Sequence, residues 1–104
     1  MNIYAEVPPS QIAAEKEYFI SAIYKLLPYK QYNYRYLDNY FKSVLQQLIG
    51  FNKISGFQKP TITIISLLEY ARDEENFQDY RKAILDACGM VKLIKESDSN
   101  AWFL

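Results

Sequence analysis

The 104-residue chain has no histidine, a single cysteine and three glycines. Without imidazole there can be no Ser-His-Asp triad, no histidine general base and no histidine-ligated metal. Cys88 has no second thiol to pair with and no imidazole to activate it, so it reads as a small core residue of a protein kept in a reducing compartment. Three glycines are too few for a phosphate-cradling loop. An enzyme is therefore not expected, nor a cofactor. Long apolar runs are absent as well. Nothing approaches the roughly 20 residues that span a bilayer, and Met1-Asn-Ile-Tyr-Ala-Glu6 lacks the basic start and apolar stretch of a signal peptide. A cytoplasmic location is expected.

What is present suits an ordinary globular protein, half apolar and 23% charged. Residues 1–104 are expected to form a single domain, large enough to bury roughly two thirds of the unfolded surface around one core. The net charge is zero but unevenly placed: residues 1–24 carry −2, residues 25–59 carry +5 and residues 60–104 carry −3. A basic middle between acidic flanks can steer an acidic protein or a polyanion to one face. Abundant Lys and Tyr tilt the composition toward low-GC bacteria and their mobile elements.

Pro8-Pro9-Ser10 opens a helix, and Ile12, Phe19, Ile23 and Leu26, with Ile20 and Leu27 beside them, recur at helical spacing. This predicts a first helix over about 10–27, stopped by Pro28. Asn33 is placed to cap a second helix whose stripe is Leu37, Phe41, Val44 and Leu48, with Gly50 as its stop and Phe51 as the apolar contact after it. Lys59-Pro60-Thr61 opens the next element. Ile62-Thr-Ile-Ile65 is β-branched enough for a strand, but Ile64, Leu68 and Ala71 carry a helical period to Arg72, so a helix is expected. Asn76 caps a fourth helix with the stripe Phe77, Tyr80, Ile84 and Cys88, ended by Gly89. Met90-Val-Lys-Leu-Ile-Lys95 and Ala101-Trp-Phe-Leu104, separated by a polar turn, read as the two strands of a hairpin. The expected fold is mainly α: a small bundle of about four helices with a C-terminal β-hairpin, winged-helix-like in layout.

The residues with most chemical interest lie between Pro28 and Lys42. Five of the ten tyrosines fall from Tyr29 to Tyr40, interleaved with cations. Tyr29, Tyr32, Tyr34, Tyr36 and Tyr40 with Lys30, Arg35 and Lys42 can stack bases and follow phosphates, as single-stranded nucleic acid requires. They equally have the composition of a protein–protein hot spot, or two or three of the rings pack on neighbouring helices with their hydroxyls in water. The acidic group Asp73, Glu74, Glu75 and Asp79 lacks the alternate spacing of a calcium loop, and negative charge beside a helix start is favoured by the macrodipole, so no metal is expected there. In a winged helix the segment 76–88 would enter the major groove, presenting Gln78, Asp79, Arg81, Lys82 and Asp86. With Glu74 and Glu75 before it that segment is acidic, which disfavours duplex reading.

Asn76–Gly89 as a helix followed by Met90–Leu104 as a hairpin resembles the last third of winged-helix accessory proteins of phages, plasmids and chromosomal cassettes. Among them are the small proteins of staphylococcal cassette replication operons. The resemblance implies a non-enzymatic accessory protein of mobile-element DNA replication. It would bind a larger replication enzyme, such as an A-family polymerase or a helicase, and possess an affinity for single-stranded DNA in support of primer synthesis. A helical immunity protein, or a phage-type inhibitor that blocks a toxin or host enzyme, is equally small and non-catalytic and would also use a tyrosine-rich face.

Overall fold

Two prolines at the start of the chain's first regular element fix its direction. A computed structural model describes residues 8–96. Pro8 is the extended N-cap of α1 (Pro9–Tyr24), with Pro9 in the first turn where a missing N–H costs nothing. The expected single helix over 10–27 is interrupted at Lys25 and resumes as α2 (Leu26–Gln31). Pro28 does not stop it. A helical proline has no N–H for the carbonyl four residues back, and its ring presses on that carbonyl. Here that carbonyl belongs to Tyr24, so α1 ends there and Pro28 sits in the first turn of α2.

Helix α3 (Leu37–Ile54) runs through Gly50 instead of ending there. A helical glycine costs about 1 kcal/mol, whereas burying the Phe51 side chain gains about 1.5–3 kcal/mol. Phe51 is buried against Phe19 of α1, ring centroids 5.3 Å apart, so continuation wins. The real stop is Gly56, whose φ of +94° lets the Phe57 N–H donate back to the Asn52 carbonyl at 2.7 Å.

Helix α4 (Lys59–Asp73) resolves the strand-or-helix choice at 61–65 in favour of helix: Thr61, Ile64, Leu68 and Ala71 are all buried, a helical spacing. Asn76 caps α5 (Phe77–Val91) as expected, its Oδ1 accepting the Asp79 N–H at 3.0 Å. Helix α5 also passes through its glycine, Gly89.

The predicted C-terminal β-hairpin is contradicted: there is no strand among the described residues, and with no hairpin the winged-helix-like layout falls. Within the proposed first strand, Met90 and Val91 complete α5, and the chain then turns twice more through Leu93 N–H to Met90 O and Ile94 N–H to Val91 O. Burial shows why. Val91 and Ile94 are enclosed while Leu93 is exposed, a spacing of three that suits a helical turn and not the alternation of a strand. The proposed second strand, Ala101–Leu104, lies outside the described residues.

Among the described residues the bundle is thus all helical. Helix α5 lies against α4, α1 and α2, while α3 packs on α4 and meets α1 and α2. The core joins Phe19, Ile23 and Leu26 to Phe41, Val44 and Leu48, then to Ile64, Leu68, Tyr80 and Ile84. Two side chains tie the far end of α5 down. Lys16 Nζ donates to the Ile94 carbonyl at 2.7 Å and pairs with Glu96 at 3.3 Å, and the Gln58 amide exchanges two hydrogen bonds with the Lys95 backbone. Among the described residues no helix is long and apolar enough to cross a membrane.

Candidate protein-docking surface

The tyrosine-rich segment is organised by how α2 ends. Tyr32 is its C-cap and Asn33 follows with φ of +55°, the left-handed conformation that asparagine tolerates better than other side chains. Asn33 is therefore a helix terminator, not the N-cap expected of it. α3 starts instead at Leu37, after a Tyr36 cap that uses no side-chain hydrogen bond. The Asn33 N–H donates to the Lys30 carbonyl at 3.2 Å and the Tyr34 N–H to the Tyr29 carbonyl at 2.8 Å, the paired bonds of a Schellman motif.

That motif brings the residue after the left-handed position over the last turn of the helix. Both are tyrosines here. Tyr34 lies on Tyr29 with ring centroids 4.5 Å apart; Tyr29 meets the edge of Tyr40 at 5.0 Å, and Tyr36 meets Tyr34 at 5.9 Å. The result is a continuous ladder, Tyr36–Tyr34–Tyr29–Tyr40, in the offset and edge geometries that aromatic quadrupoles favour. Its inner end is anchored, because the Tyr40 hydroxyl donates to the Ala22 carbonyl of α1 at 2.7 Å. Burial, with smaller contributions from Tyr29 and Tyr18, pushes the Tyr40 phenol up to about 12. The outer end is open: Tyr34 is 42% and Tyr36 52% exposed, with Arg35 over the Tyr36 ring at 5.6 Å.

Tyr32 stands apart from this ladder. At 76% exposed it borders a separate groove of about 370 Å³, whose walls include Tyr24, Leu27 and Pro28 from α1 and α2 and Phe77 and Arg81 from α5. Tyr24 and Phe77 were not among the expected site residues, and Arg81 was expected only as part of a groove-reading helix. Leu27, Pro28 and Gln31 stand at +3, +4 and +7 from Tyr24, and Arg81 at +4 from Phe77. Reading the helical faces across Pro28 would have found them.

The cations are largely committed. Lys30 Nζ lies 5.3 Å from the centre of the buried Tyr80 ring, and its charge helps hold the Glu74 carboxyl below the usual range, after the larger effects of the Asn76 N–H and the Tyr70 hydroxyl. Lys42 pairs with Asp38 at 3.4 Å. Asp38 is also gripped by Arg72, Nε to Oδ1 at 2.6 Å and a second nitrogen to Oδ2 at 3.2 Å, and these bonds are the main reason its carboxyl stays below the ordinary carboxylate range. Of the three expected site cations only Lys42 makes an ion pair among the described residues, while Lys30 and Arg35 each lie against a tyrosine ring.

The surface offers phenol hydroxyls, ring faces and one guanidinium, the materials of recognition. The Cys88 thiol is buried, makes a long contact of 3.8 Å to the Ile20 carbonyl, and is pushed up by burial. Glu74 serves as an acceptor for the Asn76 N–H at 3.0 Å, and Asp79 sits in the first turn of α5. Among the described residues no group of three or more such side chains is arranged to hold a metal. No protein-family model, curated protein or solved structure matches the chain.

Proposed function

We propose that this is a non-catalytic binding protein and that the tyrosine ladder is the surface it presents to a larger protein partner. The observation that carries the proposal is the ladder itself: four mutually packed rings, anchored at Tyr40 and exposed at Tyr34 and Tyr36, with Arg35 at the tip. Rigid tyrosines lose little entropy on docking, and Tyr and Arg dominate binding hot spots. Single-stranded DNA is the less favoured ligand, because a phosphate-tracking groove needs several free cations and Lys30 and Lys42 already have local partners.

Two kinds of partner fit such a surface. The accessory protein of a mobile-element replication enzyme was inferred partly from a helix–hairpin layout, and that support is gone. An immunity protein or inhibitor, which blocks a toxin or host enzyme, needs only a stable helical bundle with an aromatic face. The all-helical fold therefore favours this second reading over the first.

The test is to purify the protein with the products of the genes beside its own and to titrate any that bind, using wild type and a Tyr34→Ala/Tyr36→Ala variant. Each buried anchor lost is expected to weaken binding by about 1–3 kcal/mol, while the melting temperature falls only by what the Tyr34–Tyr29 contact contributes. A bound toxin or host enzyme supports the inhibitor reading, and a polymerase or helicase the accessory one. A folded double variant that binds as tightly as wild type removes the ladder from the function. Steep loss of binding to an oligo-dT probe with rising salt would point to nucleic acid instead.

A further inference from the structure

The groove that Tyr32 borders shares no residue with the tyrosine ladder and has a chemistry of its own. At about 370 Å³ it has the size of a small binding pocket. Tyr24 and Tyr32 are exposed within it, and Leu27, Pro28 and Phe77 are half-buried in its walls.

Those walls are held in place from below. Tyr80, between Phe77 and Arg81 on α5, donates its hydroxyl to the Leu26 carbonyl of α2 at 2.7 Å, and its ring stacks on Phe77 with centroids 6.0 Å apart. Lys30 of α2 lies over the same ring at 5.3 Å. One fully buried residue thus joins the two elements that form the groove. The groove is preformed, so little ordering cost is added when something enters it.

The groove carries charge of one sign. Arg81 is exposed and makes no ion pair among the described residues, and no carboxylate stands among the residues that line the groove. Lys25, beside Tyr24 in the chain, is likewise exposed and unpaired. A guanidinium matches a carboxylate with two parallel hydrogen bonds, while aromatic rings around a proline accept an apolar side chain.

We propose that this groove docks an acidic peptide segment of a partner protein. One large apolar side chain of the segment lodges among Tyr24, Leu27, Pro28, Tyr32 and Phe77, and a neighbouring Asp or Glu pairs with Arg81. One guanidinium suffices for one carboxylate. A nucleic-acid strand carries a phosphate at every nucleotide and needs a row of cations, which the lining does not offer.

The experiment is selection of a phage-displayed library of random dodecapeptides on the full chain and, in parallel, on an Arg81→Glu variant. Wild type is expected to enrich sequences that place a Leu, Phe or Trp near an Asp or Glu. Arg81→Glu is expected to enrich Lys or Arg in the acid's place, since an exposed position tolerates either charge while the pairing reverses. A synthetic peptide of the wild-type consensus should shift the ¹H–¹⁵N resonances of Tyr24, Leu27, Gln31 and Arg81. It should bind about tenfold more weakly to Arg81→Gln and to Tyr32→Ala. Tyr34→Ala/Tyr36→Ala should bind this peptide as wild type does, which separates the groove from the ladder. A consensus without acidic residues, the same consensus on both proteins, or no consensus at all overturns the proposal. Shifts at these residues with an oligo-dT probe and none with the peptide overturn it too, and assign the groove to nucleic acid.

Discussion

Two tyrosine hydroxyls each hold a backbone carbonyl across the bundle: Tyr40 that of Ala22 and Tyr80 that of Leu26, both at 2.7 Å. The second carbonyl lies at the start of α2, just before Pro28, so Tyr80 fixes the base from which the ladder rises. Burial raises both phenols above the ordinary value of 10, Tyr40 to about 12 and Tyr80 further. At pH below 10 both groups are protonated whether folded or unfolded, and their full contribution to stability is present. Above pH 10 the unfolded chain ionises first, so stability falls as pH rises through the folded value of Tyr40 and toward that of Tyr80. Absorbance at 295 nm, followed together with circular dichroism, should show the last phenols ionising as the helices melt. Tyr40→Phe and Tyr80→Phe should each cost about 1–3 kcal/mol by leaving a carbonyl unsatisfied, the buried Leu26 carbonyl more. At this scale the composition was legible and the grouping was not. Five rings in twelve residues promise a surface, but only the left-handed turn at Asn33 decides that Tyr34 falls on Tyr29 and that Tyr32 goes elsewhere. Asparagine suits a helix start and a helix end alike, for unrelated reasons.

The helices themselves were legible because their stripes are. Phe19, Ile23 and Leu26, then Phe41, Val44 and Leu48, then Ile64, Leu68 and Ala71, and finally Tyr80, Ile84 and Cys88 are buried at the spacing the sequence announces. Ends were harder to read, since glycine permits a stop without compelling one. Gly50 and Gly89 continue their helices, and a Cβ added at either meets nothing within 4 Å. Gly50→Ala and Gly89→Ala should therefore each stabilise the protein by about 0.5–1 kcal/mol, a rise in melting temperature of about 2–8 °C. Gly56 also has open space around it, but its φ of +94° is one that alanine adopts only under strain. Gly56→Ala should lower stability by about 1 kcal/mol or more. If all three variants melt alike, the assignment of stop and continuation is mistaken. The run from Val91 to Ile94 misled for a related reason: over so short a stretch β-branched residues suit a strand or a buried helical turn, and only contact with the core chooses between them.

For the whole molecule, the core is continuous from α1 through α5, so damage at one point should be felt everywhere. Val44 and Leu48 are essentially inaccessible, and Val44→Asp or Leu48→Asp would bury an unpaired carboxylate. Either should abolish cooperative unfolding in a denaturant titration; a native-like transition would disprove the packing of α3. The basic middle segment that the sequence displays is muted by the fold. Asp38 gathers Lys42 and Arg72, and the Lys30 charge is felt by Glu74, so charge that looked available for a polyanion is partly balanced at the bundle's surface. Pairing across elements is invisible in a linear count. The turn at Asn33 carries a consequence of another kind. The fold relies on Asn33 for its backbone, on Tyr29 and Tyr34 for the contact that closes the turn, and on Tyr40 for the anchor. Tyr32, Arg35 and Tyr36 bear no comparable structural duty. Substitution at these three changes the chemistry of the surface while the architecture stays as it is.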